Sequence, residues 1–271
     1  MAIITISRGS YSKGLEVAEK TAARLGYRVV SRDLLLEASD HFHIPEIKLV
    51  RAIHDAPSIL DRLTHGRQGF LAYIQCALAE QAVQDNLVYH GLAGHLLLKG
   101  APHVLKVRII ADLESRVAAE MQREGISAAE ARSLLLKDDD ERRRWTQSLY
   151  GVDPWDASLY DLVIHIHKLT VDDAVDFIVH AAERPCFQST PEARRKMEDL
   201  ALACRIKSVL VQNACYNVAV ASEYGNVVLY HKSSGTRTLH VDPTIKRKIE
   251  TIPGVNHLEE HSGMPAPPSA V

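Results

Sequence analysis

The sequence is short of the features that define several large protein classes. Only 6% of its 271 residues are aromatic, and four are cysteine: Cys76, Cys186, Cys204 and Cys215. No two cysteines form a C-x-x-C pair, which argues against a disulfide framework and a thiolate zinc site. No apolar run approaches the roughly 18 residues needed to span a bilayer, so no transmembrane segment is expected. The start, MAIITISRGS, has no basic stretch ahead of its short apolar run and does not read as a secretory leader. The net charge of −2, from 32 Lys and Arg against 34 Asp and Glu, gives no bulk attraction for a polyanion, and no nucleic-acid partner is expected. Hydrophobic residues at 46% and charged residues at 24% exclude wholesale disorder. These absences point to a cytoplasmic globular protein.

Histidine is plentiful, with 14 residues. At a reference pKa near ~6.5, mild acid would turn the net charge positive.

The first half alternates short apolar runs with helical patterns. Ala2–Ser7 is β-branched and continuous, as a buried parallel strand requires. Leu15, Ala18, Ala22 and Leu25 recur at helical spacing, and Gly26 ends that helix. Further strands are predicted at Tyr27–Val30, Leu87–Tyr89, Val104–Ile110 and Leu162–Ile166. Strands alternating with helices predict an α/β fold with a parallel sheet and right-handed crossovers. Ser127–Glu130 reads as a capping box, Asp138–Arg144 as a charged run, and Val171–Ala182 as a closing helix.

The composition changes after residue 184. Arg184–Pro191, with two prolines, opens a linker drawn over residues 185–198, and residues 192–211 read as helical. Residues 199–261 predict a small α-β-β-α-β domain with a turn at Glu223–Asn226. Residues 262–271, rich in Pro and Ala, predict a disordered tail.

Between the first strand and first helix lies Gly9-Ser10-Tyr11-Ser12-Lys13-Gly14. A G-x-x-x-x-G turn there is the frame of a phosphate loop, in which backbone N–H groups and a helix N-terminus face an anion. The full motif continues with Lys and Ser or Thr, where this chain has Leu15 and Glu16. Lys13 either supplies the displaced cation or is a solvated residue at a helix start. Arg8 either reaches a nucleotide or forms a surface ion pair.

Ile4-Thr5-Ile6-Ser7-Arg8, followed by Gly14, Glu16, Val17 and Ala18, resembles the opening of the cytidylate kinase-like family. Leu25-Gly26-Tyr27, Ser31–Leu35, Arg142, and Ser158–Ile166 with Lys168-Leu169 are similar to its later motifs, in order. The resemblance covers roughly residues 1–182. It implies a five-stranded P-loop domain over residues 1–184 that moves the γ-phosphoryl of ATP, with Mg²⁺, to a nucleoside monophosphate or similar small acceptor. The expected partners are therefore a nucleotide and a small-molecule acceptor, and either domain could serve as a homo-oligomer contact. The alternative is a non-catalytic nucleotide sensor, or an interaction protein with a degenerate P-loop.

On that resemblance, Arg8, Gly9, Ser10, Tyr11, Ser12, Lys13, Gly14 and Glu16 would bind the cofactor. Arg32, Asp33 and Gly91 would hold the acceptor, and Lys13 and Arg142 would act in catalysis. Gly91 is followed by Leu92 where the family carries arginine, so a second expected cation is absent. The bland reading of Arg142, Arg143 and Arg144 is pairing with Asp138, Asp139 and Asp140 one turn earlier. His90 and His95 bracket the glycine loop, as ligand contacts or as hydrogen-bonded core residues. Arg51 and His54-Asp55 lie in a segment that could cover the same cleft. His165 and His167 alternate on one strand and make no metal motif by themselves. The C-terminal hairpin and Gly254-Val255 resemble a BON domain.

Overall fold

The computed structural model describes residues 2–8, 13–31, 66–91, 93–231, 240–262 and 264–271. Five parallel strands form the main sheet: β1 (Ile3–Arg8), β2 (Arg28–Val30), β3 (Leu87–His90), β4 (Val104–Ala111) and β5 (Leu162–Ile166). Their order is β2-β3-β1-β4-β5, which places β1 at the centre between β3 and β4.

The strand residues are apolar on both sides because helices cover both faces. Alternation along β1 and β3 divides the two cores. Ile4, Ile6 and Val88 pack with α1 (Gly14–Leu25) and the helix Val171–Ala182 through Ala18, Ala22, Ala174 and Ile178. Ile3, Leu87 and Tyr89 pack on the opposite face, against α2 (Gly66–Ala82), the one-turn α3 (Gly94–Leu97) and a later helix. Ile3, Ile4 and Ile6 are all fully buried. Burial of each such side chain contributes about 1.5–3 kcal/mol.

After β4 come α4 (Leu113–Glu124) and the long α5 (Ala128–Tyr150). The expected capping box opens α5: Ser127 Oγ accepts the Glu130 N–H at 3.3 Å, and the Glu130 carboxylate accepts the Ser127 N–H at 2.9 Å. The charged run continues this helix without a break. The sheet side of the fold closes with β5 and α6 (Val171–Ala182).

The segment expected as a linker is mostly the start of a helix. Thr190 caps it by accepting the Ala193 N–H at 3.1 Å, and Pro191 occupies the first turn, where its missing N–H does no harm. The resulting α7 (Pro191–Gln212) belongs to both cores. Met197, Leu200, Ala201 and Cys204 face the main sheet's layer, and Leu202, Ala203, Ile206 and Leu210 face a second, three-stranded sheet.

That sheet has the order β6 (Val218–Glu223), β7 (Asn226–His231), β8 (His257–Ser262), with α8 (Pro243–Glu250) before β8. β6 and β7 are antiparallel and joined by Tyr224 (φ 52°) and Gly225 (φ 77°), the two left-handed residues a tight hairpin needs. A side chain at Gly225 would lie 2.4 Å from the Gly254 carbonyl oxygen. The Asp199 carboxylate of α7 clamps this turn, accepting from Ser222 Oγ, Tyr224 N and Gly225 N at 2.9, 2.9 and 3.1 Å.

The tail differs from the expected disorder. Val271 exchanges two backbone hydrogen bonds of 2.9 Å with Val220, which extends the edge of β6. The Val271 side chain packs against both cores, so apolar burial holds a segment whose composition alone reads as unstructured.

Candidate functional site

A parallel sheet puts the carboxyl ends of its strands, and the loops that leave them, on one edge. The loops after β1 and β3 begin helices at that edge by the same local device. Lys13 (φ 60°) precedes Gly14 at the start of α1, and Ala93 (φ 57°) precedes Gly94 at the start of α3. Left-handed backbone costs a non-glycine residue roughly 1–2 kcal/mol. Tyr89 explains why the turn after β3 needs glycine at positions 91 and 94: an added Cβ would lie 2.5 Å from the Tyr89 hydroxyl at Gly91 and 2.3 Å from its ring at Gly94.

The expected phosphate loop is described only at its last residues. The Lys13 side chain is exposed and Gly14 is buried. Arg8 ends β1 opposite Ile109 of β4. Leu15, at the usual lysine position, is 44% exposed. Glu16 lies on the outer side of α1, 3.2 Å from Lys20, which also reaches Asp172 at 3.0 Å. Lys20 thus joins α1 to α6, and Glu16 does not line the cavity described next. Gly9, Ser10, Tyr11, Ser12, Arg32, Asp33, Arg51, His54, Asp55 and Leu92 lie outside the described residues.

Beside the ends of β1 and β4, a cavity of about 30 Å³ is lined by Ser7, His95, Arg108, Asp139, Arg142 and Arg143, among others. It has room for about one or two water molecules. Arg108 rises from β4, lies 5.7 Å from the Tyr160 ring centroid, and donates to the Pro154 carbonyl. Burial lowers the Arg108 pKa, opposed by Tyr160, Asp153 and Asp139. Arg143 grips Asp153, and its guanidinium lies 4.4 Å from the centroid of the Trp155 ring.

Of the three expected helix pairs, Asp140 with Arg144 forms, at 2.5 Å. Asp139 instead pairs with Arg116 of α4 at 2.7 Å, because packing of α4 on α5 brings a nearly buried guanidinium to it. Arg143 turns to Asp153 at 2.5 Å. Among the described residues no ion pair holds the Arg142 guanidinium, whose backbone carbonyl accepts from Thr146 at 3.0 Å.

His95 is buried, with neither ring nitrogen hydrogen-bonded. Its ring lies 4.6 Å from Tyr160, tilted by 43°. Burial, with Lys106 and Arg108 nearby, pushes its pKa down to about 4. The reading of His95 as a satisfied core residue therefore fails on its hydrogen bonds. His90 is also buried, on β3.

At the same sheet edge, Asp112 follows β4 and lies between two histidines, 3.0 Å from His165 Nε2 and also bonded to His167 Nδ1. The two rings stack at 5.9 Å. No group of His, Cys, Asp or Glu that could hold a metal ion occurs among the described residues.

The structure thus brings Arg142 together with residues that sequence reasoning passed over: Ser7, Arg108 and, as a cavity-lining partner, Arg143. Arg108 had a signal. It and Lys106 interrupt an otherwise apolar strand at alternate positions, so they share one face and need an anion or solvent there.

The cytidylate kinase-like family model matches residues 3–168. A cytidylate kinase of Pyrococcus horikoshii is 28% identical over 183 residues, which cover 66% of this chain and 87% of that protein. A cytidylate kinase of Methanopyrus kandleri is 34% identical over 79 residues, 29% of this chain, and the match spans only 41% of that protein's length. An uncharacterized protein from Eubacterium ventriosum has a similar structure, with a TM-score of 0.53 and 22% identity over 68% of this chain and 100% of that one.

Proposed function

The chain belongs to the cytidylate kinase-like family, and from that premise we propose that it transfers the γ-phosphoryl group of ATP to a nucleoside monophosphate or a similar small acceptor. The observation that carries this reading is the convergence of Arg108, Arg142 and Arg143 beside the end of β1. In-line phosphoryl transfer needs little covalent help from a protein. It needs positioning, and cations over the oxygens on which charge moves. Arg142 has a guanidinium free for that task among the described residues, and Arg143 is held in place by Asp153. Arg142 is the catalytic candidate, and Lys13 with the Gly14 backbone the candidate triphosphate contacts.

ATP would bring Mg²⁺ as its own complex. The hydroxyl position of the motif holds Glu16, which pairs with Lys20, and the described residues offer no cluster of metal ligands. The four cysteines are free thiols, in keeping with a cytoplasmic site of action. Residues 1–184 would form the phosphotransferase domain. The α-β-β-α-β unit would be a BON-like attachment whose first helix is shared with it.

A second reading, a non-catalytic nucleotide sensor, is favoured by Leu15, which is exposed at the lysine position. Calorimetric titration with ATP and with each nucleoside monophosphate, followed by a phosphoryl-transfer assay, separates the two. Binding with transfer supports the kinase. Tight binding without transfer supports the sensor, and no binding removes both. In the kinase, Arg142→Ala should lower kcat about 100-fold with a smaller change in KM. An unchanged kcat would return Arg142 to the helix surface.

A further inference from the structure

His95 is 5% exposed, yet neither ring nitrogen meets a hydrogen-bond partner. A buried polar group in that state is costly unless a ligand or water completes it. The ring lines the arginine cavity, so the missing partner can enter there.

The charges around it define that partner. Lys106 and Arg108 face it from β4, the Tyr160 ring lies tilted against it, and Asp139, Arg142 and Arg143 line the cavity from α5. The one carboxylate in this set is committed: Asp139 pairs with Arg116 at 2.7 Å. Among the described residues that line the cavity, no carboxylate is left for the imidazole. The space beside the ring is small, about 30 Å³, room for a group about the size of one or two water molecules.

We propose that His95 binds a terminal phosphoryl oxygen of the ligand and takes up a proton from solvent as the dianion enters. The inference rests on the phosphotransferase reading of the same cavity and adds to it a residue and a linked proton. Without ligand, burial and two neighbouring cations keep the imidazole neutral. A phosphomonoester dianion reverses the sign of the local field and supplies an acceptor for the new N–H. Binding then draws one proton, which moves from bulk water to the ring and forms an N–H···O contact. No other bond is made or broken.

The test uses the full chain and isothermal titration at neutral pH in two buffers of different ionisation enthalpy, with ATP and CMP as probes. The expected result is uptake of between about 0.5 and 1 proton per ligand bound, falling to near zero in His95→Gln together with about a tenfold loss of affinity. Binding by neither probe would overturn this inference and the phosphotransferase reading together. Binding without proton uptake, or with the same uptake in His95→Gln, would overturn this inference alone. Inorganic sulfate gives a check that needs no variant, because sulfate stays a dianion from pH 8 to pH 6. Its affinity for the wild-type chain should rise severalfold over that interval, and a flat profile would count against the proposal.

Discussion

Arg143 holds Asp153 with two nitrogens, Nε at 3.1 and 3.2 Å from the carboxylate oxygens and Nη2 at 2.5 Å. The same guanidinium covers Trp155, and Asp153 also accepts the Trp155 N–H at 3.0 Å. One small cluster therefore fastens the loop after α5 back onto the helix that carries the cavity arginines. The hydrogen bond from Arg143, then the Trp155 N–H, lowers the Asp153 pKa.

Asp153→Ala should cost about 1 kcal/mol of stability, since the pair is about one-third exposed and such pairs are individually weak. The loss should shrink in 1 M salt, where exposed charges are screened. Urea unfolding at low and high salt measures both. A loss that is independent of salt would assign the effect to the Trp155 N–H contact instead.

Gly94→Ala should destabilise the chain by about 1–3 kcal/mol, because the new methyl would lie 2.3 Å from Tyr89 Cδ1 and 3.3 Å from Thr5 Cβ. The ring is the obstacle, so Tyr89→Val should recover part of the loss. A double-mutant cycle by thermal or urea unfolding reads the coupling. Strict additivity would show that the backbone of the turn, not the ring, sets the demand for glycine.

The order of strands and helices was legible in the sequence because both periodicities were strong. β1 could be read from its β-branched run, and α5 from Ser127 and Glu130. The helix after residue 191 was legible, but the linker was drawn on to residue 198 because the prolines signal a break, whereas Pro191 is a favourable first-turn residue once Thr190 caps the helix. Val271 was missed because a single apolar residue gives no periodic signal, and its strand-like pairing depends on an edge more than 50 residues away. At the site, Arg142 was legible from its motif. Its neighbours Ser7, His95 and Arg108 stand on three different elements, and the parallel topology that assembles them is invisible to local spacing.

A second charge cluster, this one buried, locks the small sheet. Glu260 of β8 is 9% exposed and accepts from His231 at 2.5 Å, the Val241 N–H at 2.7 Å, His240 at 3.3 Å, and Lys246. Burial alone would raise its pKa, but Lys246, Val241 and the histidines outweigh it and hold it at about 2. A depressed carboxylate contributes stability above its unfolded value, near ~4.3, and that stability is lost as pH falls toward 2. Glu260→Gln should cost about 3–5 kcal/mol at neutral pH, because it leaves buried donors without their anion. Chemical unfolding near pH 7 and near pH 3 checks this: the gap between the two chains should narrow in acid. A constant gap would assign the loss to packing.

The pKa of His95 is lowered as well, by burial and neighbouring cations, and its consequence runs the same way with pH. The folded chain keeps this imidazole neutral down to about pH 4, whereas the unfolded chain protonates it near ~6.5. Between those values the unfolded state binds one more proton, so stability is full above about pH 6.5 and falls as pH drops toward 4. The slope from this one residue is at most about 1.4 kcal/mol per pH unit. His95→Gln removes the titration while keeping a polar side chain of similar size. Without ligand, the wild-type chain should therefore lose stability faster than His95→Gln between pH 6.5 and 4.5, with the two profiles parallel above pH 7. Urea midpoints collected across that range measure the difference directly. Parallel profiles throughout would mean that the imidazole titrates alike in the folded and unfolded chain, and that its burial among cations does not suppress its protonation.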